Sequence, residues 1–371
     1  IYMAKRSVQN NSVKIILDSL QPHFPQYDLL KKALHQFRER YAYHQWDTLP
    51  VSYTDTIAFK QELASRLLLS GDLDSAGMND DNKIKSIIKK FQLEHHLYPD
   101  GVAGKKTVQE LNLSKSYRLQ QIGANMERWR HFPDSLPARY LLVNLPAYEL
   151  QLWDKDTLRI DSRIIVGAPK TRTPELNSNI TNFIMYPYWR VPMSIVAKEI
   201  LPAIKRDTSY LRRKNFEVID RYNNAVDPAT INWKKYNKNY FPFVLQQSEG
   251  LDNSLGILKF NFMNKYSVYL HDTNARNLFA NSYRALSHGC VRVKEWQKLM
   301  YYLTKDDTVR NPVDSLQAWM SRKQKRQVNL AHRLPIYIRY FTCDVKDGKL
   351  NFYEDIYEED KKMIQQMYGA E

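Results

Sequence analysis

The sequence predicts a multidomain α+β protein: an α-helical scaffold carrying a small helical domain, then a mainly-β domain with an insertion. Three observations predict it. Apolar residues recur every three or four positions up to about residue 133, they alternate from about residue 138, and the alternation is interrupted between 194 and 246 by a basic, Tyr/Asn-rich stretch.

The first scaffold segment, 1–69, holds two helical runs. In "DLLKKALHQFRERYAYHQW", Leu30, Ala33, Leu34 and Phe37 fall on one face, and "FKQELASRLLLSGDL" repeats the pattern. Residues 70–113 form a smaller unit. Ile84, Ile87, Ile88 and Phe91 have helical spacing behind Asp80 or Asp81 as N-cap. "PDGVAG" then supplies a turn whose glycines suit positive φ, and "KKTVQELN" a second short helix with Val108 and Leu111. His95 and His96 have no second ligand pair at metal-binding spacing, so they are expected at the surface or in a cap. "SYRLQQIGANMERWRHFP" returns to helix. With 114–137 it completes the scaffold by packing back on the first helices, which makes 70–113 an insertion.

The mainly-β domain is expected over 138–330. "YLLVNLPAYELQLW" places Tyr148, Leu150 and Leu152 on one face, "RIDSRIIVG" continues as strand, and "ITNFIMYPYWRVP" is an aromatic strand broken by prolines. The stretch 194–246 carries ten Lys/Arg against five Asp/Glu. A lid or substrate clamp and a decorative insertion are both consistent with it. In "LGILKFNFMNKYSVYLHDT", alternation sets Tyr266, Val268 and Leu270 on one face and Ser267, Tyr269 and His271 on the other. A helix is expected directly after Cys290, with Val293, Trp296, Leu299 and Met300 inward, and 331–371 as a segment packing on the core.

Apolar residues make up 43% of the chain, enough for a full core. No apolar run is long enough to span a membrane as a helix. The chain opens "IYMAKRSVQN" without an initiator methionine, which is read as a mature or trimmed chain with any export signal removed and a membrane anchor left open. The net charge of +15 favours an anionic partner, and the absence of zinc-finger spacing, RNP-type aromatics and basic-region heptads argues against nucleic acid. The two cysteines, Cys290 and Cys343, are too few for a disulfide framework. Cys343, in the strand-like "RYFTCDV", is expected to be structural, and both thiols free.

The chemistry centres on "RALSHGCVRV". A cysteine at a helix N-terminus beside a histidine gains thiolate character, and Gly289 lets backbone N–H groups converge into an oxyanion hole. Two histidines are candidates for the base, His288 and His271. An inert buried cysteine, or a zinc site of His271, His288 and Cys290, remains open on these residues alone, although no fourth ligand is evident. A papain-like arrangement is disfavoured because the histidine precedes the cysteine.

"HDTNARNLFANSYRALSHGCVRV" resembles the signature of the YkuD-type L,D-transpeptidase catalytic domain: a histidine, about fifteen residues, then Ser/Thr-His-Gly-Cys, a hydrophobic and a polar residue. Here these are His271, residues 272–286, Ser287, His288, Gly289, Cys290, Val291 and Arg292. "LLVNLPAYELQLW", "RIIVGAPKTRTPELNSNI", "YPYWRVPMSIVAKEILP" and "LPIYIRYFTCDVKDGKLNFYEDIY" are similar to the large periplasmic, YcbB-like members, and "FQLEHHLYPDGVAGKKTVQELN" resembles a peptidoglycan-binding domain. Leu251 stands where such relatives often have proline.

The resemblance implies a cell-envelope enzyme, periplasmic, monomeric and without metal or organic cofactor. It would cross-link peptidoglycan stem peptides 3→3 through a thioester on Cys290, releasing D-Ala from a tetrapeptide donor, and be open to carbapenems. His271 is implied as general base, its other ring nitrogen held by a backbone carbonyl near Asp272. His288 and Gly289 are implied in the oxyanion hole and loop. Trp189, Tyr269, Ser287 and Arg292 are implied as substrate contacts. L,D-carboxypeptidase or D-amino-acid exchange activity, or a non-catalytic peptidoglycan-binding scaffold, are the alternatives.

Overall fold

The computed structural model describes residues 18–41, 48–51, 56–70, 72–133 and 135–369. Expected scaffold residues 1–17, 42–47 and 52–55 lie outside these. The chain divides into two compact units, 1–136 with 340–371, and 137–339.

In the first unit, α1 (Pro25–Arg40) starts with proline in its first turn and ends with Arg38 and Arg40 where the helix dipole favours cations. It packs on α5 (Lys115–Arg130), the return helix the spacing predicts. Between them lie α2 (Thr56–Leu69), α3 (Asp81–Glu94) and α4 (Lys105–Leu111). The Asp80 carboxylate caps α3 by accepting the Asn82 and Lys83 N–H groups. Phe59, Leu63 and Leu67 of α2 bury into the same cluster as Ile88, Val108 and Leu111. No break in the core therefore marks the boundary expected at 69/70.

The Phe-Gln, Pro-Asp-Gly and Thr order has a physical cause. The Gln92 amide is buried and donates to Asp100 Oδ1 (2.8 Å), the Val102 carbonyl (3.0 Å) and Thr107 Oγ1 (3.1 Å). Its oxygen accepts the Gly101 N–H at 2.8 Å. One side chain thus ties the helix, the turn and the next helix together. Gly101 takes the expected positive φ of 76°, whereas Gly104 has φ −73° and caps α4 instead.

His95 follows α3 as its C-cap, but its ring is not at the surface. It stacks on Phe91 at 3.9 Å and touches Glu110 at 3.2 Å and Arg118 at 3.1 Å. Burial pushes the Glu110 carboxyl up, yet Arg118 at 2.5 Å and His95 pull it down to about 2. A hairpin, Cys343–Lys346 with Lys349–Phe352, and a last helix, Glu359–Tyr368, complete this unit, with Cys343 buried as expected.

The second unit is built on a mixed sheet that closes on itself. Its strands are β1 (Arg139–Asn144), β2 (Glu149–Asp154), β3 (Thr157–Gly167), β4 (Leu176–Met185), β9 (Leu258–Phe262), β10 (Leu270–His271), β11 (Ala285–Ser287), β12 (Val291–Val293) and β13 (Arg326–Arg339). The order is β11-β3-β12-β10-β9-β4-β13-β1-β2, and β2 also pairs β3, which removes an open edge. The alternation read in the sequence is the inward face: Leu141 and Val143, Leu150 and Leu152, Phe260, Leu270, Val291, Ile336 and Ile338 are fully buried. Strand β13 runs through the boundary expected at 330, pairing β1 in parallel and β4 antiparallel.

The basic excursion is a folded subdomain rather than helix and polar loop alone. A helical run, Met193–Ile195, Val196–Ile200 and Leu201–Arg206, contains a π turn at its middle piece. Helix Ser209–Arg213 follows, and a second sheet joins β5 (Trp189–Arg190), β8 (Val244–Gln247), β6 (Phe216–Ile219) and β7 (Ala225–Val226). Val196, Ile200, Ile204, Leu211, Val218, Trp233 and Leu245 form its core. It therefore begins at β5 and ends with β8, a few residues wider than 194–246.

Candidate active site

The register of three short strands assembles the site. Strand β10 pairs β12 in parallel, Leu270 opposite Val291 and His271 opposite Arg292, and pairs β9 antiparallel, His271 opposite Lys259. Side chains alternate, so Leu270, Val291 and Phe260 point into the core while Lys259, His271 and Arg292 share the other face. One step earlier, the Tyr269 carbonyl accepts the Val291 N–H at 3.1 Å, which sets Tyr269 beside Cys290. Strand β10 is only two residues long, because Ser267 at φ 57° breaks the alternation and leaves Tyr266 exposed.

Cys290 is not at a helix N-terminus. Strand β12 follows it directly, and the helix Trp296–Thr304 begins six residues later. The valines of "VRV" pair with β3 and β10 before the helix can start, so no helix dipole acts on the sulfur. Burial accordingly pushes the thiol up from its ordinary value, against the lowering effect of Tyr269, Lys259 and Arg292. The Sγ lies 3.9 Å from the Ser267 carbonyl.

The loop before Cys290 is held from three sides. Gly289 has φ 116°, a value that favours glycine. The buried Ser287 hydroxyl donates to the Cys290 carbonyl (2.6 Å) and accepts the Gly289 N–H (3.1 Å). Thr173 Oγ1 donates to the Gly289 carbonyl and accepts the Gly167 N–H, both at 2.8 Å. Thr171 Oγ1 donates to the Ser287 carbonyl at 2.9 Å. Two expectations change as a result. The Ser287 hydroxyl is engaged in shaping the loop, and the Gly289 N–H is taken by that hydroxyl instead of standing free for an oxyanion.

His271 is buried, and its pKa falls to about 3, first from burial and then from the Arg292 and Lys259 charges. Backbone groups of Asp272 and Leu255 act in the opposite sense, but Nδ1 has no partner of full hydrogen-bonding geometry among the described residues. The ring is neutral at pH 7, in contact with Tyr269 at 5.5 Å between centroids. His288 turns outward, its Nε2 2.6 Å from Glu199 of the excursion. Tyr269 links both parts of the unit: its hydroxyl lies near enough to the Cys290 sulfur and the Trp189 indole N–H for each to act on its ionisation. Trp189 thus reaches the site through Tyr269. Arg292 is half-buried, with Nε enclosed and unpartnered.

Sequence reasoning passed over three residues and the side-chain role of a fourth, Asp272. Lys259 lies with its ammonium 4.0 Å from the Tyr269 ring centroid. Asp272, fully buried, accepts the Ile257 N–H at 3.0 Å and Arg276 at 2.6 and 3.1 Å, which anchors the strand end that carries His271. Thr173 and Glu199 are the others. The one signal for Lys259 was a charge inside the apolar run "ILKFNF". Among the described residues, no group of three or more His, Cys, Asp or Glu is placed to hold a metal ion.

A closed mixed sheet thus carries a cysteine, a buried histidine and flanking cations on one face, the arrangement of a candidate cysteine-centred site. Residues 138–312 match the family model described as the L,D-transpeptidase catalytic domain, YkuD. A Haemophilus influenzae protein named, provisionally, as an L,D-transpeptidase is 32% identical over 293 residues, 76% of this chain and 57% of the relative. The chain therefore spans little more than half the length of that curated relative. Among solved structures, an L,D-transpeptidase from Mycobacterium smegmatis is 11% identical over 54% of this chain and 58% of its own, with a TM-score of 0.27. One from Stackebrandtia nassauensis is 12% identical over 78% and 93%, also at 0.27, scores too low to carry weight. Residues 138–312 of the chain therefore form a YkuD-type L,D-transpeptidase catalytic domain.

Proposed function

We propose that the protein is a cysteine-dependent L,D-transpeptidase that forms 3→3 peptidoglycan cross-links. The observation that supports this reading best is the strand register: it groups Cys290, His271, Tyr269 and Arg292 on one sheet face, inside the segment matched by the family. Cys290 attacks the carbonyl at the L-centre of diaminopimelate in a donor tetrapeptide. His271 takes the thiol proton during attack and returns it to the departing amine of D-Ala. The resulting thioester is then opened by the side-chain amine of a second stem. Backbone N–H groups of His288 and Cys290 hold the tetrahedral oxyanion, and Arg292 receives a stem carboxylate.

The excursion acts as a cap. Its support is that Trp189 and Glu199 both reach the site loop or its neighbour. Residues 70–113 act as a peptidoglycan-binding module, supported by the Gln92-tied turn. A net charge of +15 suits an anionic polymer of the periplasm or cell envelope, with no nucleic-acid partner and the protein working as a monomer. Among the described residues, no helix is long and apolar enough to cross a membrane.

Incubation with disaccharide-tetrapeptide tests the reading. D-Ala release with dimer formation is expected. Release of D-Ala without dimer assigns the site to L,D-carboxypeptidation, and equal release by Cys290→Ala contradicts the mechanism.

A further inference from the structure

Two half-buried cations face the nucleophile without a carboxylate. Lys259 and Arg292 stand on the strands either side of β10, on the face that carries His271 and adjoins Cys290. Neither makes an ion pair among the described residues, and the anion that would act on each is the Cys290 thiolate once it forms. Lys259 sits over the ring of Tyr269, whose hydroxyl reaches that sulfur. The remaining charged groups nearby are spent elsewhere: Asp272 on Arg276, and Glu199 on His288. His271 is the other titratable neighbour, and it stays neutral.

We infer that Lys259 is a positioning residue which, with Arg292, supplies the positive potential that holds the Cys290 thiolate, so that the charged nucleophile does not depend on an imidazolium at His271. The same two charges that favour the sulfur anion disfavour the protonated ring. Burial opposes both ionisations and outweighs the cations even at the sulfur, but there the cations act against it, whereas at the ring they add to it. A pair of cations against one thiolate also leaves a net positive site. In alkylation the thiol proton passes to solvent; in turnover the neutral imidazole takes it from the thiol during attack and returns it to the departing D-Ala amine. The inference rests on Cys290 being the nucleophile but not on its substrate.

Alkylation of Cys290 tests it without peptidoglycan. Iodoacetamide forms the S–C bond and expels iodide, and the modified residue is located by peptide mass spectrometry, which separates it from Cys343. Lys259→Met is expected to raise the pH midpoint of alkylation by about one unit, Lys259→Arg to restore it, and His271→Gln to leave it within about half a unit. In the unaltered protein, iodoacetate is expected to react faster relative to iodoacetamide than it does with free cysteine, a measurement that stands even if Lys259→Met fails to fold. A midpoint that moves with His271→Gln and not with Lys259→Met overturns the inference, as does an iodoacetate preference no greater than that of free cysteine.

Discussion

Gly256→Ala probes the anchor behind His271. At φ +63°, an alanine costs about 1–2 kcal/mol of backbone strain. Its Cβ would also lie 2.3 Å from Asp272 Oδ2 and 2.4 Å from Cγ, far inside contact distance. Asp272 has no exposed surface, so the carboxylate has no route to water and must shift within a packed site. Overpacking of that kind costs about 1–3 kcal/mol. Displacing the carboxylate from the Ile257 N–H and Arg276 adds about 1–2 kcal/mol. The total is about 3–7 kcal/mol. Gly250→Ala is the control: φ is +145° with nothing within 4 Å of the added carbon, so backbone strain of about 1–3 kcal/mol is all it meets. Urea unfolding of both variants measures the difference, and turnover of the Gly256 variant reports whether the strand end still presents His271. A Gly256→Ala cost no larger than that of Gly250→Ala would refute the anchor.

Two other perturbations follow from the same geometry. His271 titrates near 3 in the fold but near the ordinary histidine value when unfolded, so the unfolded chain binds the extra proton between those limits. Stability from this residue is full above about pH 6.5 and declines as pH falls towards 3, by roughly 3–5 kcal/mol. His271→Gln should flatten that part of the stability-versus-pH curve, and an unchanged slope would contradict a neutral buried ring. Thr173→Val keeps the volume but removes both bonds to Gly167 and Gly289. The expected result is about 1–3 kcal/mol of destabilisation and about a tenfold lower kcat, read by D-Ala release.

Much of the site was legible because its signals are local. The fifteen residues between His271 and Ser287 and the alternation in "VYLHDT" placed the histidine at a strand end, and β10 is there. The position of Cys290 was misread because apolar residues at 293, 296, 299 and 300 have helical spacing, while the first of them belongs to β12. Only pairing with β3 and β10, from distant parts of the chain, decides that. Lys259 was missed for a related reason. On a strand with one solvated face a lysine is ordinary, and its role appears when β10 and β12 bring Tyr269, Cys290 and Arg292 alongside. The hydroxyl of Ser287 and the N–H of Gly289 looked available in the motif, and hydrogen bonds within the loop itself, set by the positive φ of Gly289, consume both. The excursion read as helix and polar loop because its strands are two to four residues long, too short for alternation to register.

The central claim is that Cys290 carries the donor stem as a thioester. Rapid acid quench during turnover of disaccharide-tetrapeptide, followed by intact and peptide mass spectrometry, tests it most directly. The expected result is a transient adduct equal to the donor minus D-Ala, mapped to Cys290, cleared by added acceptor and absent from Cys290→Ala. D-Ala release with no adduct on Cys290 at any time, or an adduct that persists in Cys290→Ala, would contradict it.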